Sequence, residues 1–135
     1  MRDFRGKRLD TGEWAYGMPV YGGRKIFQTT PSGIPVSVDS KTVGQYSGIF
    51  TMDEQLDGDT RFTFIYEGDI VEAVLIDGTH EGFSWGRHVV VFDRGAFCLK
   101  DRRGQITPMC NYSVNVKFKV LGNIHDNPEL WEVIE

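Results

Sequence analysis

The sequence predicts a mainly β fold on three observations. Val and Ile together number 22 and Phe, Tyr and Trp 17, against only 9 Ala and Leu. Such β-branched and aromatic side chains lose rotamer freedom in a helix and fit a pleated, half-buried surface. Gly occurs 16 times, well above the share of ~7% in an average chain, which suits many tight turns. Short apolar segments also recur between turn residues at close intervals, the pattern of a small barrel or sandwich. A chain of 135 residues can bury a core without metal or disulfide staples. Leu, Ile, Val and Phe together number 37, which excludes a disordered chain.

The elements follow in order. Phe4 to Leu9 and Glu13 to Tyr16 flank the turn Asp10-Thr11-Gly12 and predict a hairpin over 4–16. Gly22-Gly23 predicts a second turn before Lys25-Ile26-Phe27, and Ile34 to Val38 reads as an edge strand with Pro35 near its start. Asp39 or Ser40 then caps a predicted short helix through Tyr46, with Val43 and Tyr46 on one face and Gly48 past its end. Met52 to Thr60 is acidic and predicts a solvated loop or linker.

From Arg61 onward, strands are predicted over 61–66, 70–76, 87–92, 96–100 and 113–121. Glu67-Gly68-Asp69, the Gly-rich 77–86, Arg94-Gly95 and Arg102-Arg103-Gly104 separate them. In the last strand Val114, Val116, Phe118 and Val120 alternate with Asn115, Lys117 and Lys119, so one side faces a core and the other water. A terminal helix starts at Asn127-Pro128-Glu129, where Asn caps, Pro fits the first helical position and Glu suits the positive end of the dipole.

Charge is segregated along the chain. Residues 1–25 carry net +3, 26–86 net −8, 87–119 net +5 and 120–135 net −4, for −4 overall. Complementary faces, within the fold or between subunits, are the simplest reading, and overall acidity argues against a general nucleic-acid coat. No stretch has the roughly 18–20 apolar residues that span a bilayer, and the first residues lack a signal-peptide run, so a cytoplasmic protein is expected, with no membrane partner. Cys98 and Cys110 are then reduced thiols and the sequon at Asn111 is a chance match.

The sequence offers four chemical constellations. Gly82-Phe83-Ser84-Trp85-Gly86 matches the nucleophile-elbow pattern, with Asp101 and His125 in triad order. That motif needs a helix after the serine, and a strand is predicted there instead. His80, His88, Cys98 and Cys110 offer zinc ligands, but their spacings of 7, 9 and 11 are not the close pairs of a structural site. Asp53, Gln55, Asp57 and Gly58 start like a calcium loop, yet the third position of the loop is Gln and the twelfth is Phe64. No catalytic residue, metal or cofactor is expected. The fourth set, Arg87, Arg94, Lys100, Arg102, Arg103, Lys117 and Lys119, is interleaved with Phe92, Phe97, Tyr112 and Phe118. It is the candidate surface for nucleic acid or another partner, although aromatics that point inward by alternation would leave only a solvated basic face.

The segments Phe4 to Gly17, Val38 to Gly48, Ile65 to Val71 and Val120 to Leu130, taken in this order, resemble the YopX family of phage and prophage proteins. The resemblance covers both ends and the middle of the chain. It implies a mostly β protein whose carboxy-terminal half is an SH3-like barrel, made in a bacterial cell, and it implies no reaction. The family usually joins its Gly-Gln-Tyr and Tyr-Glu-Gly-Asp-Ile segments by a short turn, where this chain has Met52 to Thr60 followed by Arg61-Phe62-Thr63-Phe64. Arg5, Gly6 and Trp14 are expected to shape the first hairpin, Gly44, Gln45 and Tyr46 the end of the short helix, Gly68 and Asp69 the turn into the barrel, and Asn123, Asn127 and Pro128 the final turn and cap.

The expected organisation is therefore a β-rich region over 1–50, an acidic linker over 51–60, and a barrel with a terminal helix over 61–135. The expected role is a non-enzymatic accessory protein that self-associates or binds a host protein; a nucleic-acid-binding module is the runner-up. Leu130, Trp131 and Ile134 are too apolar for a free tail and are expected to dock on their own chain or on a neighbouring subunit.

Overall fold

The computed structural model describes residues 3–27, 34–54, 58, 60–75, 83–111 and 116–132. Among these run β1 (Phe4–Arg8), β2 (Trp14–Val20), β3 (Lys25–Phe27), β4 (Val36–Glu54), β5 (Thr60–Tyr66), β6 (Asp69–Leu75), β7 (Phe83–Asp93), β8 (Ala96–Lys100), β9 (Ile106–Pro108), a 3-10 turn (Met109–Asn111), β10 (Val116–Asn123) and α1 (Pro128–Glu132). The fold is mainly β with a short carboxy-terminal helix, as the composition requires. It divides into two compact units, Met1–Tyr46 and Ser47–Glu135.

In the first unit, β1 pairs antiparallel with β2 and with β4, and β3 pairs with both β2 and β4, so four strands close into a ring. Ring closure leaves none of the four with an open edge. Ala15, Ile26 and Val38 are buried inside, with Val36 and Val43 against them. On β1, the Arg5 guanidinium lies 4.2 Å and the Lys7 ammonium 4.5 Å from the Trp14 ring centre, so β1 and β2 are joined by cation–π contacts as well as by the ladder.

The helix expected from Asp39 or Ser40 to Tyr46 does not form; those residues belong to β4. Cap-type bonds are present nonetheless. Asp39 Oδ1 accepts from the Lys41 amide at 3.1 Å, and the Thr42 hydroxyl donates to the Asp39 carbonyl at 2.6 Å. They serve an irregularity in the β1–β4 ladder, where the register steps from Arg5 opposite Gly44 to Lys7 opposite Asp39. The Lys7 amide bonds the Thr42 hydroxyl at 2.8 Å. Local Asp and Thr bonds of this kind suit a bulge as well as a helix start, and pairing with β1 decides between them.

In the second unit the strands run in the order β10-β6-β7-β8-β9. Ile65, Val71, Ala73, Val90, Leu99, Met109 and Phe118 form its core, with Ile49, Phe97, Val116 and Val120 packed on it. Lys117 and Lys119 of β10 are exposed and Phe118 is buried, the alternation that the sequence shows. Of the expected linker, Thr51 to Glu54 finish β4 and Thr60 opens β5, while 55–57 and Asp59 lie outside the described residues. β7 begins at Phe83, inside the Gly-rich 77–86, and β9 (Ile106–Pro108) adds a strand beyond those that the sequence predicts. The latter is three residues long and ends in Pro108, which an edge strand tolerates because its outer amide is not needed for pairing. The closed ring of described pairings thus belongs to the amino-terminal unit, and β9 and β10 end the carboxy-terminal sheet.

Two turns meet between β5–β6 and β10–α1. The Gly68 amide donates to the Val90 carbonyl at 2.8 Å, and the Gly68 carbonyl accepts from the Ile124 amide at 2.9 Å. Asp69, only 2% exposed, accepts the Tyr66 amide at 2.8 Å. Across from it, Asn123 Oδ1 accepts from the amides of His125 and Asp126 at 3.0 and 2.8 Å. The Asn127 side chain bonds back to the Asn123 amide at 3.3 Å, and its carbonyl accepts from the Leu130 amide at 3.0 Å.

Backbone geometry at these turns admits little change. A Cβ on Gly122 would overlap Asn127 Oδ1 and stand 2.9 Å from Asn127 Cγ and 3.1 Å from Leu130 Cδ1. Gly68 has φ +93°, a conformation that L residues rarely adopt. Gly122→Ala and Gly68→Ala are each expected to destabilise the protein by about 1–3 kcal/mol, read as a lower urea midpoint at unchanged slope.

Candidate functional site

Strand alternation sorts the carboxy-terminal sheet into two faces. Val71, Ala73, Val90, Leu99 and Phe118 point to the core, so Ile70, Glu72, Arg87, Val89, Val91, Lys100 and Lys119 lie on the opposite, outer face. Register places Lys119 opposite Glu72 and Glu72 opposite Arg87, a row of alternating charge over three strands. Cross-strand pairs of opposite sign contribute roughly 0.2–1 kcal/mol each, and here they break up what would be a continuous basic strip.

α1 lies on this outer face. Arg87 Nη1 donates to the Leu130 carbonyl at 3.1 Å, satisfying one of the carbonyls that a short helix leaves without an internal partner. Val89, Val91, Lys100, Ile124, Pro128 and Trp131 line a groove of about 340 Å³ beside the helix. Two candidate sets that the sequence kept separate therefore converge: Arg87 and Lys100 from the basic group meet Leu130 and Trp131 from the apolar tail. Within the described residues the tail docks on its own chain; Ile134 lies outside them.

The remaining basic residues are dispersed. Arg94 occupies the β7–β8 turn with φ 51° and a side chain 94% exposed, 3.9 Å from Asp93 Oδ2. Arg102 and Arg103 are exposed in the β8–β9 turn, at the other end of β8, about 14 Å from Arg94 at ~3.4 Å per residue. Lys117 and Lys119 sit on β10, three strands from β8, again about 14 Å at ~4.8 Å per strand. Phe118 is in the core, and Phe92 and Phe97 form an edge-to-face pair at 5.0 Å on the core side of the sheet. These described aromatics and the outer basic residues are thus on different faces, and Tyr112 lies outside the described residues.

The triad candidates are also separate. The Ser84 hydroxyl donates to Glu72 Oε2 at 2.7 Å and accepts from the Gly86 amide at 3.0 Å. Asp101 Oδ1 accepts the amides of Arg103 and Gln105, both at 2.9 Å, and so closes the β8–β9 turn. His125 belongs to the turn after β10, with its ring beside Gly68. Among the described residues no three of His, Cys, Asp and Glu are grouped to hold a metal ion; His80 lies outside them. Nor is any described helix long and apolar enough to cross a membrane.

Two features are absent from the sequence reading. The strand predicted over 87–92 carries no face assignment, and alternation turns Val89 and Val91 to the groove. Phe50 on β4 and Phe62 on β5 remain 49% and 54% exposed, with ring centres 5.8 Å apart, and Phe64 lies 6.1 Å from Phe50. The alternation of Phe62 and Phe64 signals one aromatic face; that Phe50 lies beside it depends on the β4–β5 pairing.

Both cysteines are unbridged, Cys98 buried and Cys110 exposed. Burial, and then the charge of Asp93, pushes the Cys98 thiol above its usual range. Since the folded state holds this proton more tightly than the unfolded chain, the associated stability is complete below the unfolded thiol value, ~8.5, and falls as pH rises through the folded one. A disulfide reagent should label one thiol per native molecule promptly and the second only on unfolding, and Cys110→Ser should remove the prompt phase. Trp131→Ala should cost about 2 kcal/mol, less than the roughly 3–5 of a fully buried indole, with no change in molecular mass by light scattering.

The family model described as YopX protein matches residues 23–132. That span contains three of the four ordered motifs and leaves Phe4 to Gly17 outside it. None of the curated proteins and none of the solved structures matches the chain.

Proposed function

The chain belongs to the YopX family, and from that premise we propose that it is a non-enzymatic phage or prophage accessory protein acting by self-association, with a host protein as the alternative partner of the same surface. The observation that carries this reading is the exposed aromatic pair Phe50 and Phe62 on neighbouring strands, with Phe64 beside it. β5 is also the last strand of its sheet order among the described residues, a position from which pairing with a second chain proceeds readily.

The energetics support a reversible contact. A large aromatic side chain presents roughly 150–250 Å², so two half-exposed rings leave about 200 Å² to cover. At ~25 cal/mol per Å² that is about 5 kcal/mol for each copy, and a two-fold dimer doubles it. Association costs about 4–15 kcal/mol in lost freedom. The gain and the cost are of one scale, so association depends on concentration. The non-enzymatic part is supported by Ser84, whose hydroxyl donates to the Glu72 carboxylate on β6, and by Asp101, whose carboxylate closes a turn.

Sedimentation over a wide concentration range tests the proposal. The protein should shift from monomer to a larger species as concentration rises. Phe62→Lys should suppress that shift while changing unfolding stability by no more than about 0.5 kcal/mol, as for other exposed positions. A chain that stays monomeric throughout, at moderate and at high salt, would refute self-association.

A further inference from the structure

The groove beside α1 has a lopsided chemistry. Of the described residues that line it, Val89, Val91, Ile124, Pro128 and Trp131 are apolar or aromatic, and the other is Lys100. Val89 lies opposite Lys100 in the β7–β8 register, so the lysine stem rises from the groove floor at one end. Lys100 is exposed, and neither its ammonium nor the Trp131 indole has a hydrogen-bond or ion-pair partner among the described residues. Arg87, by contrast, is committed to the Leu130 carbonyl and holds the wall in place. Among the described residues the groove thus offers an apolar slot with a cation beside it, and no acidic side chain is in its lining.

We propose that this groove binds a segment of a partner protein in which an Asp or Glu carboxylate stands next to a bulky apolar side chain. The apolar side chain enters between Val89, Val91 and Trp131, and the carboxylate meets Lys100. Two observations favour a peptide over a small molecule. A volume of about 340 Å³ is at the low end of small-molecule sites, which enclose most of their ligand, whereas a groove between one short helix and a sheet face holds one or two side chains of a longer chain. Residues 87–119 carry net +5 and residues 120–135 net −4, so the cationic side of the groove is its sheet side, where Lys100, followed by Arg102 and Arg103 in the next turn, favours an acidic group on the incoming segment. This site is formed by β7, β8 and α1, apart from the aromatic pair on β4 and β5, and stands or falls separately from self-association.

The test uses the full chain and a fluorescein-labelled, acetylated peptide Gly-Glu-Leu-Phe-Glu-Gly, followed by anisotropy and by the Trp131 indole resonance, assigned through Trp131→Phe. The peptide is expected to bind, to shift that resonance and to weaken with added salt. Lys100→Glu, shown to be folded by circular dichroism, should weaken binding about tenfold or more, and the same peptide with Lys in place of Glu should bind the variant better than the wild type. Binding retained in Phe62→Lys separates the groove from self-association. Absence of binding, equal affinity of Lys100→Glu and wild type, or an unmoved indole resonance would overturn the proposal. So would hexanoate shifting the resonance where the peptide does not, which would assign the groove to free carboxylates.

Discussion

The backbone of Gly68 is bonded on both sides, to Val90 in β7 and to Ile124 just past β10, and the carboxy-terminal unit is organised around that turn. Residues far apart in sequence are joined there, so loop-closure entropy must be met by bonds made together. Asp69 and Asn123 supply them. Each is buried and polar, and each satisfies backbone amides of its own turn, so neither carries the penalty of a buried group without partners. β6 and β10, paired along their length with one shift of register between Val120 and Gly122, are thereby held together, and the helix that follows β10 leaves in a defined direction. That direction places Leu130 over Arg87 and Trp131 at the groove.

The amino-terminal unit solves a different problem. Three fully buried side chains, one of them Ala, contribute only a few kcal/mol of hydrophobic stabilisation at roughly 1.5–3 for each larger residue. Ring closure compensates by pairing each of the four strands on both sides. Trp14 adds a second layer, since the Arg5 guanidinium and the Lys7 ammonium from β1 both lie over its ring and hold β1 to β2 by cation–π attraction.

Charge segregation along the sequence acquires a local meaning on the outer face of the carboxy-terminal sheet. Glu72, from the acidic block, falls between Lys119 and Arg87 from the basic one, and it also takes the Ser84 hydroxyl. Part of the basic block is thus structural. Arg87 anchors a helix, whereas Lys100 remains available beside an apolar slot. Sequence proximity grouped these cations; strand direction and register separated them by function.

The amino-acid sequence by itself determined the β class, the positions of most strands, the terminal helix and the turns at Gly68 and Asn123, because these follow from nearest-neighbour physics. β-branched side chains favour extended backbone, glycine admits positive φ, and Pro after Asn starts a helix. The four ordered motifs also carried the family, which the match over 23–132 bears out. Tertiary structure alone decided what depends on partners distant in the chain. Asp39 and Thr42 make cap-like bonds in either a helix or a bulge, and only the approach of β1 selects the bulge. Val89 and Val91 belong to an apolar run whose alternation is legible, but which face is covered depends on where α1 lands. Phe50 and Phe62 become one surface only when β4 and β5 pair. In each case the local preferences are satisfied by more than one arrangement, and long-range pairing chooses among them.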